Sequence, residues 1–239
     1  MLKTGEKQIL QLKRIEKQKS ITKEIAFFLL LNFTQGFWKD AEFAFILGKN
    51  KWKKYSELPA RMAFEKSVKL SFLTELGNLQ DKNKLAKDEF QRGHKNQYWQ
   101  HLGAGDINLA NDFKKAYESI RDDDDEKIDT NRGWVKSFPK MKEMLKKIEP
   151  NSWKGSYRIF DYLSEVNHAG LLQEVMFKNE DDKKYVWAMT LICGRAIRML
   201  KIVDMYLYRG VSTLTKETIE LCNKSFDDGI KKYFEKQKN

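Results

Sequence analysis

Residues 156–170 read SYRIFDYLSEVNHAG, the most distinctive stretch of the chain. At about 100° per residue, a helix through this stretch has two unlike faces. The apolar face, which should seat the helix against a core, consists of Ile159, Phe160, Leu163 and Val166. The polar face, about 60° wide on roughly the opposite side, consists of Tyr157, Asp161, Ser164 and His168. Because solvated helix faces are rich in Lys and Glu, this polar face is the best candidate site in the chain.

The composition of the whole chain predicts an all-α protein. The 239 residues include only three prolines, and they show no alternating strand pattern between turn signals. Two stretches, residues 25–46 and 185–208, are apolar on nearly every side and are predicted to form the two most buried helices. We expect residues 1–20 to form a charged helix or tail and residues 21–239 to form a single helical-bundle domain.

The charge balance favours a polyanionic partner. The chain contains 45 basic and 34 acidic residues, for a net charge of +11, which is typical of nucleic-acid-binding proteins. One basic segment also contains an aromatic side chain, a combination typical of single-strand nucleic-acid binding. Its residues are Lys49, Lys51, Trp52, Lys53 and Lys54. The alternative is a solvated loop anchored by the tryptophan.

Three charged residues fall on otherwise apolar helix faces. Arg61 and Glu65 share a face with Val68 and Phe72, so they should lie in the interior or at a cleft, paired with each other or with another polar stripe. The polar face of residues 157–168 is the best-matched stripe, so the two helices should pack side by side. Arg195 lies among apolar neighbours and should need an acidic or carbonyl partner.

Several functional classes are not expected. Cys193 and Cys222 have neither the spacing of metal ligands nor that of a disulfide framework, so no metal site and no cofactor are predicted. The apolar run 25–33 is followed by Lys39 and Asp40, which argues against a membrane span. The sequence therefore predicts a reduced, cytoplasmic protein.

Two segments resemble those of a large group of bacterial helical proteins. Residues 61–65 resemble the group's Arg-x-x-x-Glu segment, and residues 157–168 are similar to its Tyr-x-x-Leu-Ser-x-x-x-His segment. The group looks related to HEPN domains and to abortive-infection proteins, and the resemblance covers about residues 21–210. It implies an antiparallel helical bundle, often dimeric, in bacterial defence or toxin contexts.

The resemblance also implies a chemistry. HEPN ribonucleases cleave RNA without a metal, using a closely spaced Arg and His; here nine residues separate Arg158 from His168, which departs from that pattern. Under this hypothesis His168 is the general acid or base, Arg158 or Arg61 neutralises the phosphate, and Asp161 and Ser164 orient the imidazole or the substrate. The alternative is a non-catalytic interaction or assembly module whose polar residues form a structural network. The corresponding partners are RNA, a second copy of the chain, or another protein.

Overall fold

The computed structural model describes residues 2–16, 25–50, 53–122, 125, 127–129, 137–168 and 181–208, with single positions at 216, 220 and 224. Within these ranges, side chains are not described for residues 16, 53–54, 162–168, 181–188, 190 and 204–208. The described part contains no β-strand, so the prediction of an all-α protein is confirmed. Its helices are α1 (Leu2–Glu16), α2 (Ile25–Lys49), α3 (Glu57–Glu75), α4 (Leu79–Gly103), α5 (Ile107–Ile120), α6 (Met141–Ile148), α7 (Trp153–His168) and α8 (Asp181–Tyr208). A short 3-10 turn, Lys53–Ser56, joins α2 to α3.

Helix α3 is the element around which the others pack. It contacts α2 and α8 most extensively, and it also contacts α6 and α7. It buries eleven of its 19 residues, and four of these are small: Ala60, Ala63, Ser67 and Ser71. The serine hydroxyls are satisfied within the helix, since Ser67 donates to the carbonyl of Phe64 (2.7 Å) and Ser71 to that of Ser67 (2.8 Å). Small side chains therefore let neighbouring helices approach α3 closely.

The ranking of residues 25–46 and 185–208 as the two most buried helices stays a prediction, because half of the α8 side chains lie outside the described residues. Helix α2 buries no more residues than the shorter α3, and it leaves Phe43 54% and Ile46 47% exposed. The described side chains of α8 do enter the main core, among them Ile192 and Met199. Apolar composition shows that a helix can be buried, but the positions of its neighbours decide how many of its sides are covered.

Helix α1 packs on α2 and belongs to the same core. Leu12 is fully buried there, and the Trp38 indole N–H donates to the Gln8 side-chain oxygen (3.0 Å). Gly5 lies directly against the Trp38 ring, where a Cβ would overlap the ring atoms. The thin apolar set of this charged segment is therefore sufficient to dock it.

Helices α4 and α5 form a hairpin with an apolar cluster of its own. This cluster contains Tyr98, Ala110, Tyr117 and Ile128. Side chains cap the start of both helices, because Asn78 accepts a hydrogen bond from the Asp81 N–H (2.7 Å) and Asp106 from that of Leu109 (3.2 Å). None of the described helices combines the length and the apolar character that crossing a bilayer requires.

Helices α6 and α7 lie against one side of α3. Phe64, Val68 and Phe72 of α3 form a second cluster with Met144 and Leu145 of α6, and Phe160 of α7 stacks on Phe64 with ring centroids 6.0 Å apart. The prediction that the helices carrying Arg61 and His168 pack side by side is confirmed. The apolar seat of α7 is thus fixed by the aromatic side chains of α3.

Candidate functional site

A cleft of about 560 Å³ opens where α3, α4, α6 and α7 meet the segment 137–140. This volume lies within the range of small-ligand sites, roughly 300–1,000 Å³. Its lining comprises five cations, one carboxylate, three aromatic rings and four other neutral side chains. They are Arg61, Lys69, Arg92, Lys140 and Lys142; Glu65; Phe138, Tyr157 and Phe160; and Ser137, Pro139, Met141 and Met144. The cleft is therefore strongly cationic and partly aromatic.

Two of the cations share a buried carboxylate behind the cleft wall. Glu89 accepts two hydrogen bonds from Arg92 (2.6 and 2.9 Å), one from Ser137 (2.6 Å) and one from Lys69 (3.3 Å). Burial by itself would raise the pKa of the Glu89 carboxyl, but the Arg92 hydrogen bonds, the Lys69 charge and the Ser137 hydroxyl outweigh burial and lower that pKa. This network fixes the back wall of the cleft.

Three other cations keep their positive charge free to act on a ligand. Within the part of the chain that the structure describes, Arg61, Lys140 and Lys142 enter no ion pair. Arg61 is partly exposed, and both lysines are exposed at the start of α6. Cations that no carboxylate neutralises attract an anion into the cleft.

Aromatic rings support these free cations. The Arg61 guanidinium lies 5.4 Å from the centroid of the Phe160 ring. The Lys142 ammonium lies 5.9 Å from the Tyr157 ring and 5.8 Å from the Trp153 ring. Such cation–π contacts position a cation without neutralising it. The Tyr157 and Phe160 rings, 6.4 Å apart, give the cleft an apolar wall beside its charges.

The prediction that Arg61 and Glu65 lie in the interior or at a cleft is confirmed, and of the two pairings left open, the one with each other is not formed among the described contacts. Both line the cleft, but Glu65 pairs with Lys69 (3.1 Å), and Arg61 lies over Phe160 instead. Glu65 has a cation four residues away on either side. An i,i+4 pair in which the glutamate precedes the cation is more favourable than the reverse order. This difference explains why Glu65 pairs with Lys69 and not with Arg61.

The structure places only part of the α7 candidate site. Arg158 and Asp161 are exposed, and neither lines the cleft. Ser164 and His168 belong to α7 by their backbone, but their side chains lie outside the described residues, as does any hydrogen bond they make across to α3. Tyr157, assigned to the polar face, lines the cleft together with Phe160 of the apolar face. Two residues three positions apart differ by only about 60° around a helix, so both can face one cleft.

The basic connector is described only in part. Lys49 is exposed at the end of α2, with its ammonium 4.6 Å from the Phe45 ring centroid. Lys51 and Trp52 lie outside the described residues, and so do the side chains of Lys53 and Lys54. The connector therefore stays a prediction as a nucleic-acid contact.

No protein-family model, curated protein or solved structure matches this chain. The HEPN-like resemblance of its two short segments accordingly stays a prediction. Among the described residues, no group of three or more His, Cys, Asp or Glu side chains is arranged to hold a metal ion.

A buried ion-pair network holds the helices that line the cleft. The Arg195 guanidinium contacts the Glu149 carboxylate (2.5 Å) and donates to the Ser156 hydroxyl (3.2 Å). Arg198 donates to the same carboxylate (2.6 Å) and to the Ile148 carbonyl (2.7 Å). The prediction that Arg195 requires an acidic or carbonyl partner is confirmed. The network joins the turn between α6 and α7 to α8, and so holds both cleft helices in place.

Sequence reasoning assigned no functional role to four of the five cleft cations. These four are Lys69, Arg92, Lys140 and Lys142. A usable signal exists, because Lys142 and Lys146 precede Trp153 and Tyr157 by about ten residues, and the same basic–aromatic mixture drew attention to residues 49–54. The turn at residues 149–152 brings the two groups together.

Proposed function

We propose that this protein is a HEPN-like helical protein that binds single-stranded RNA in the cleft between α3, α4, α6 and α7. The observation that carries the proposal is the pairing of free cations with aromatic rings in one cleft: Arg61 over Phe160, and Lys142 beside Tyr157. Single-stranded nucleic acid presents phosphates and unstacked bases together, and proteins bind it with a cationic groove that also offers stacking surfaces. The net charge of +11 adds long-range attraction for such a polyanion.

The basic surface extends beyond the cleft along α6. Lys146 and Lys147 are exposed on the same helix, and the Lys146 ammonium lies 5.0 Å from the Trp153 ring centroid. A strand leaving the cleft in this direction meets further cations and a further ring. The proposed ligand is therefore a strand of several nucleotides, in keeping with a salt-dependent, multi-phosphate interaction.

Cleavage of the bound strand is the catalytic form of this proposal. His168 lies eight residues beyond Phe160 in α7, about 12 Å further along the helix, which is within reach of a strand held in the cleft. In this form, His168 accepts the proton of the attacking ribose 2′-hydroxyl or donates a proton to the leaving 5′-oxygen. An arginine neutralises the scissile phosphate. Loss of RNA cleavage in His168→Ala with unchanged RNA affinity is the expected signature of this role.

The alternative is a non-catalytic interaction module, and one observation favours it. Exposed apolar side chains surround the turn between α2 and α3, among them Phe43, Tyr55, Leu58 and Met62. Exposed apolar side chains suit contact with another protein or another copy of the chain. Such a module would show RNA affinity that does not depend on the cleft residues.

Replacing Arg61 with alanine is expected to weaken RNA binding about tenfold or more, because a charge-assisted contact to phosphate is lost. The slope of log affinity against log salt should become shallower by about one unit. Stability should fall only by about 0.5–1 kcal/mol, the value of an exposed cation–π contact, and not by the larger cost expected for a buried ion pair. Fluorescence anisotropy with a labelled single-stranded RNA measures the affinity, and thermal denaturation measures the stability.

Lys39→Ala provides the matched control, since Lys39 is exposed on α2 and does not line the cleft. It removes the same unit of net charge without touching the proposed site. An equal loss of affinity in both variants would show that the net charge alone binds RNA, and would contradict a specific cleft.

A further inference from the structure

Glu65 is the one carboxylate that the structure places in the lining of this cationic cleft. A carboxylate in the wall of a phosphate-binding cleft repels the phosphates, so its presence opposes binding of the anionic part of the ligand. Glu65 and the buried Glu89 together balance the charges of Lys69 and Arg92, since Glu89 contacts the Lys69 ammonium (3.3 Å) as well as Arg92 (2.6 Å). The side chain of Glu65 is 38% exposed, whereas that of Glu89 is 10% exposed. Glu65 is therefore available to a ligand and Glu89 is not.

The carboxylate of Glu65 is held in a defined orientation. Its Oε1 lies 3.1 Å from the Lys69 ammonium, and Lys69 is itself fixed by Glu89 and lies 5.6 Å from the Phe138 ring centroid. Among the contacts of the described residues, Glu65 Oε2 has no hydrogen bond, which leaves it and the outer lone pair of Oε1 for a ligand. A recognition group fixed by such a supporting network discriminates between ligands better than a mobile one.

We infer that Glu65 makes the cleft selective for guanine. This inference rests on the proposed function, since it names the base that the RNA-binding cleft prefers. The Watson–Crick edge of guanine carries two adjacent donors, N1–H and the N2 amino group, which match the two acceptor oxygens of a carboxylate. Adenine, cytosine and uracil each place an acceptor beside their donor, and this acceptor would be repelled by the second oxygen. Base edges of single-stranded RNA are exposed for such contacts while the base stacks on an aromatic ring.

The arrangement assigns a separate task to each part of the cleft. The free cations hold phosphates, the Tyr157 ring stacks a base, and Glu65 reads the edge of that base. A position where phosphate is disfavoured and a base is accepted also fixes the direction in which the nucleotide enters.

The test uses single-stranded uridine-rich RNAs that differ at one central position, which is guanine, inosine, adenine or cytosine. We expect the intact protein to bind the guanine RNA about tenfold more tightly than the adenine RNA, with the inosine RNA between them because inosine lacks the N2 amino group. In Glu65→Gln the guanine-to-adenine ratio should fall to about one, since the amide offers one acceptor and one donor. Glu75→Gln, an exposed position at the end of the same helix, should keep the ratio of the intact protein.

The outcomes separate this inference from the proposed function. Binding of all four RNAs with equal affinity, or a guanine preference that survives in Glu65→Gln, would overturn the assignment of Glu65 and leave RNA binding in the cleft intact. Failure of the intact protein to bind any of the RNAs would overturn both. Circular dichroism of each variant verifies that the helical fold is retained.

Discussion

Replacing Glu149 with alanine is expected to lower the free energy of unfolding by about 3–5 kcal/mol, because it leaves a buried guanidinium without a counter-charge. The side chain of Arg195 is only 8% exposed, and its 2.5 Å contact with Glu149 is its one ion pair among the described residues. Arg198 and the Ser156 hydroxyl lose their carboxylate partner in the same variant. One substitution thus removes the acceptor that three side chains share.

Urea denaturation of the intact protein and the variant measures this loss. Glu42→Ala is the control, since Glu42 is exposed on α2 and surface substitutions usually change stability by less than about 0.5 kcal/mol. A loss for Glu149→Ala no larger than that of the control would show that water replaces the carboxylate, and would contradict a buried network.

The contribution of Glu149 to the free energy of unfolding also depends on pH. Burial by itself would raise the pKa of the Glu149 carboxyl, but the charge of Arg195, the Ser156 hydroxyl and the charge of Arg198 outweigh burial and hold that pKa below its ordinary value of 4.5. A group with a lowered pKa in the folded state stabilises fully above its unfolded pKa, and this stability is lost as the pH falls through the folded value. The stability difference between the intact protein and Glu149→Gln should therefore shrink below about pH 4.5.

Replacing Phe64 with alanine is the second change expected to have a large effect, again about 3–5 kcal/mol. Phe64 is 1% exposed, and its ring contacts both the buried ion-pair network and the cleft wall. The Arg195 guanidinium lies 4.2 Å from the centroid of the ring, and Phe160 of the cleft wall stacks against it. Truncation leaves a cavity between the buried network and the cleft.

The size of the Phe64 effect is measured by urea denaturation, with Phe64→Leu as the matched variant. Leucine fills most of the space, so its cost should be clearly smaller than that of alanine. Because Phe160 stacks on this ring and Arg61 lies over Phe160, Phe64→Ala should also weaken RNA binding at temperatures where the variant remains folded. Equal stability of the alanine and leucine variants would contradict the packing described for this position.

Apolar runs and the helical positions of charged residues predicted much of the fold. They failed where packing depends on small residues. The helices at 25–46 and 185–208 were recognisable because their apolar residues are almost continuous. The central position of α3 was not, because Ala60, Ala63, Ser67 and Ser71 carry little hydrophobic signal and act by allowing close approach. Steric access depends on the neighbouring helices, which a single sequence does not show.

The candidate site was predictable in the same partial way. Arg61 and Glu65 lie on the same helix face as apolar residues, and this position predicted a cleft. Isolated charges on a packed face require a polar environment. The partner of Arg195 was required by the same argument but could not be named, since Glu149 lies 46 residues earlier in a turn. The basic side chains of α6 were also overlooked, because their relation to Trp153 and Tyr157 depends on that turn.

Ultraviolet cross-linking of a bound single-stranded RNA, followed by mass-spectrometric mapping of the linked residues, tests the cleft most directly. We expect cross-links at Phe138, Tyr157 and Phe160, with a much lower yield in Arg61→Ala. Cross-links confined to residues 49–54, or an unchanged pattern in the variant, would contradict the cleft as the RNA-binding site.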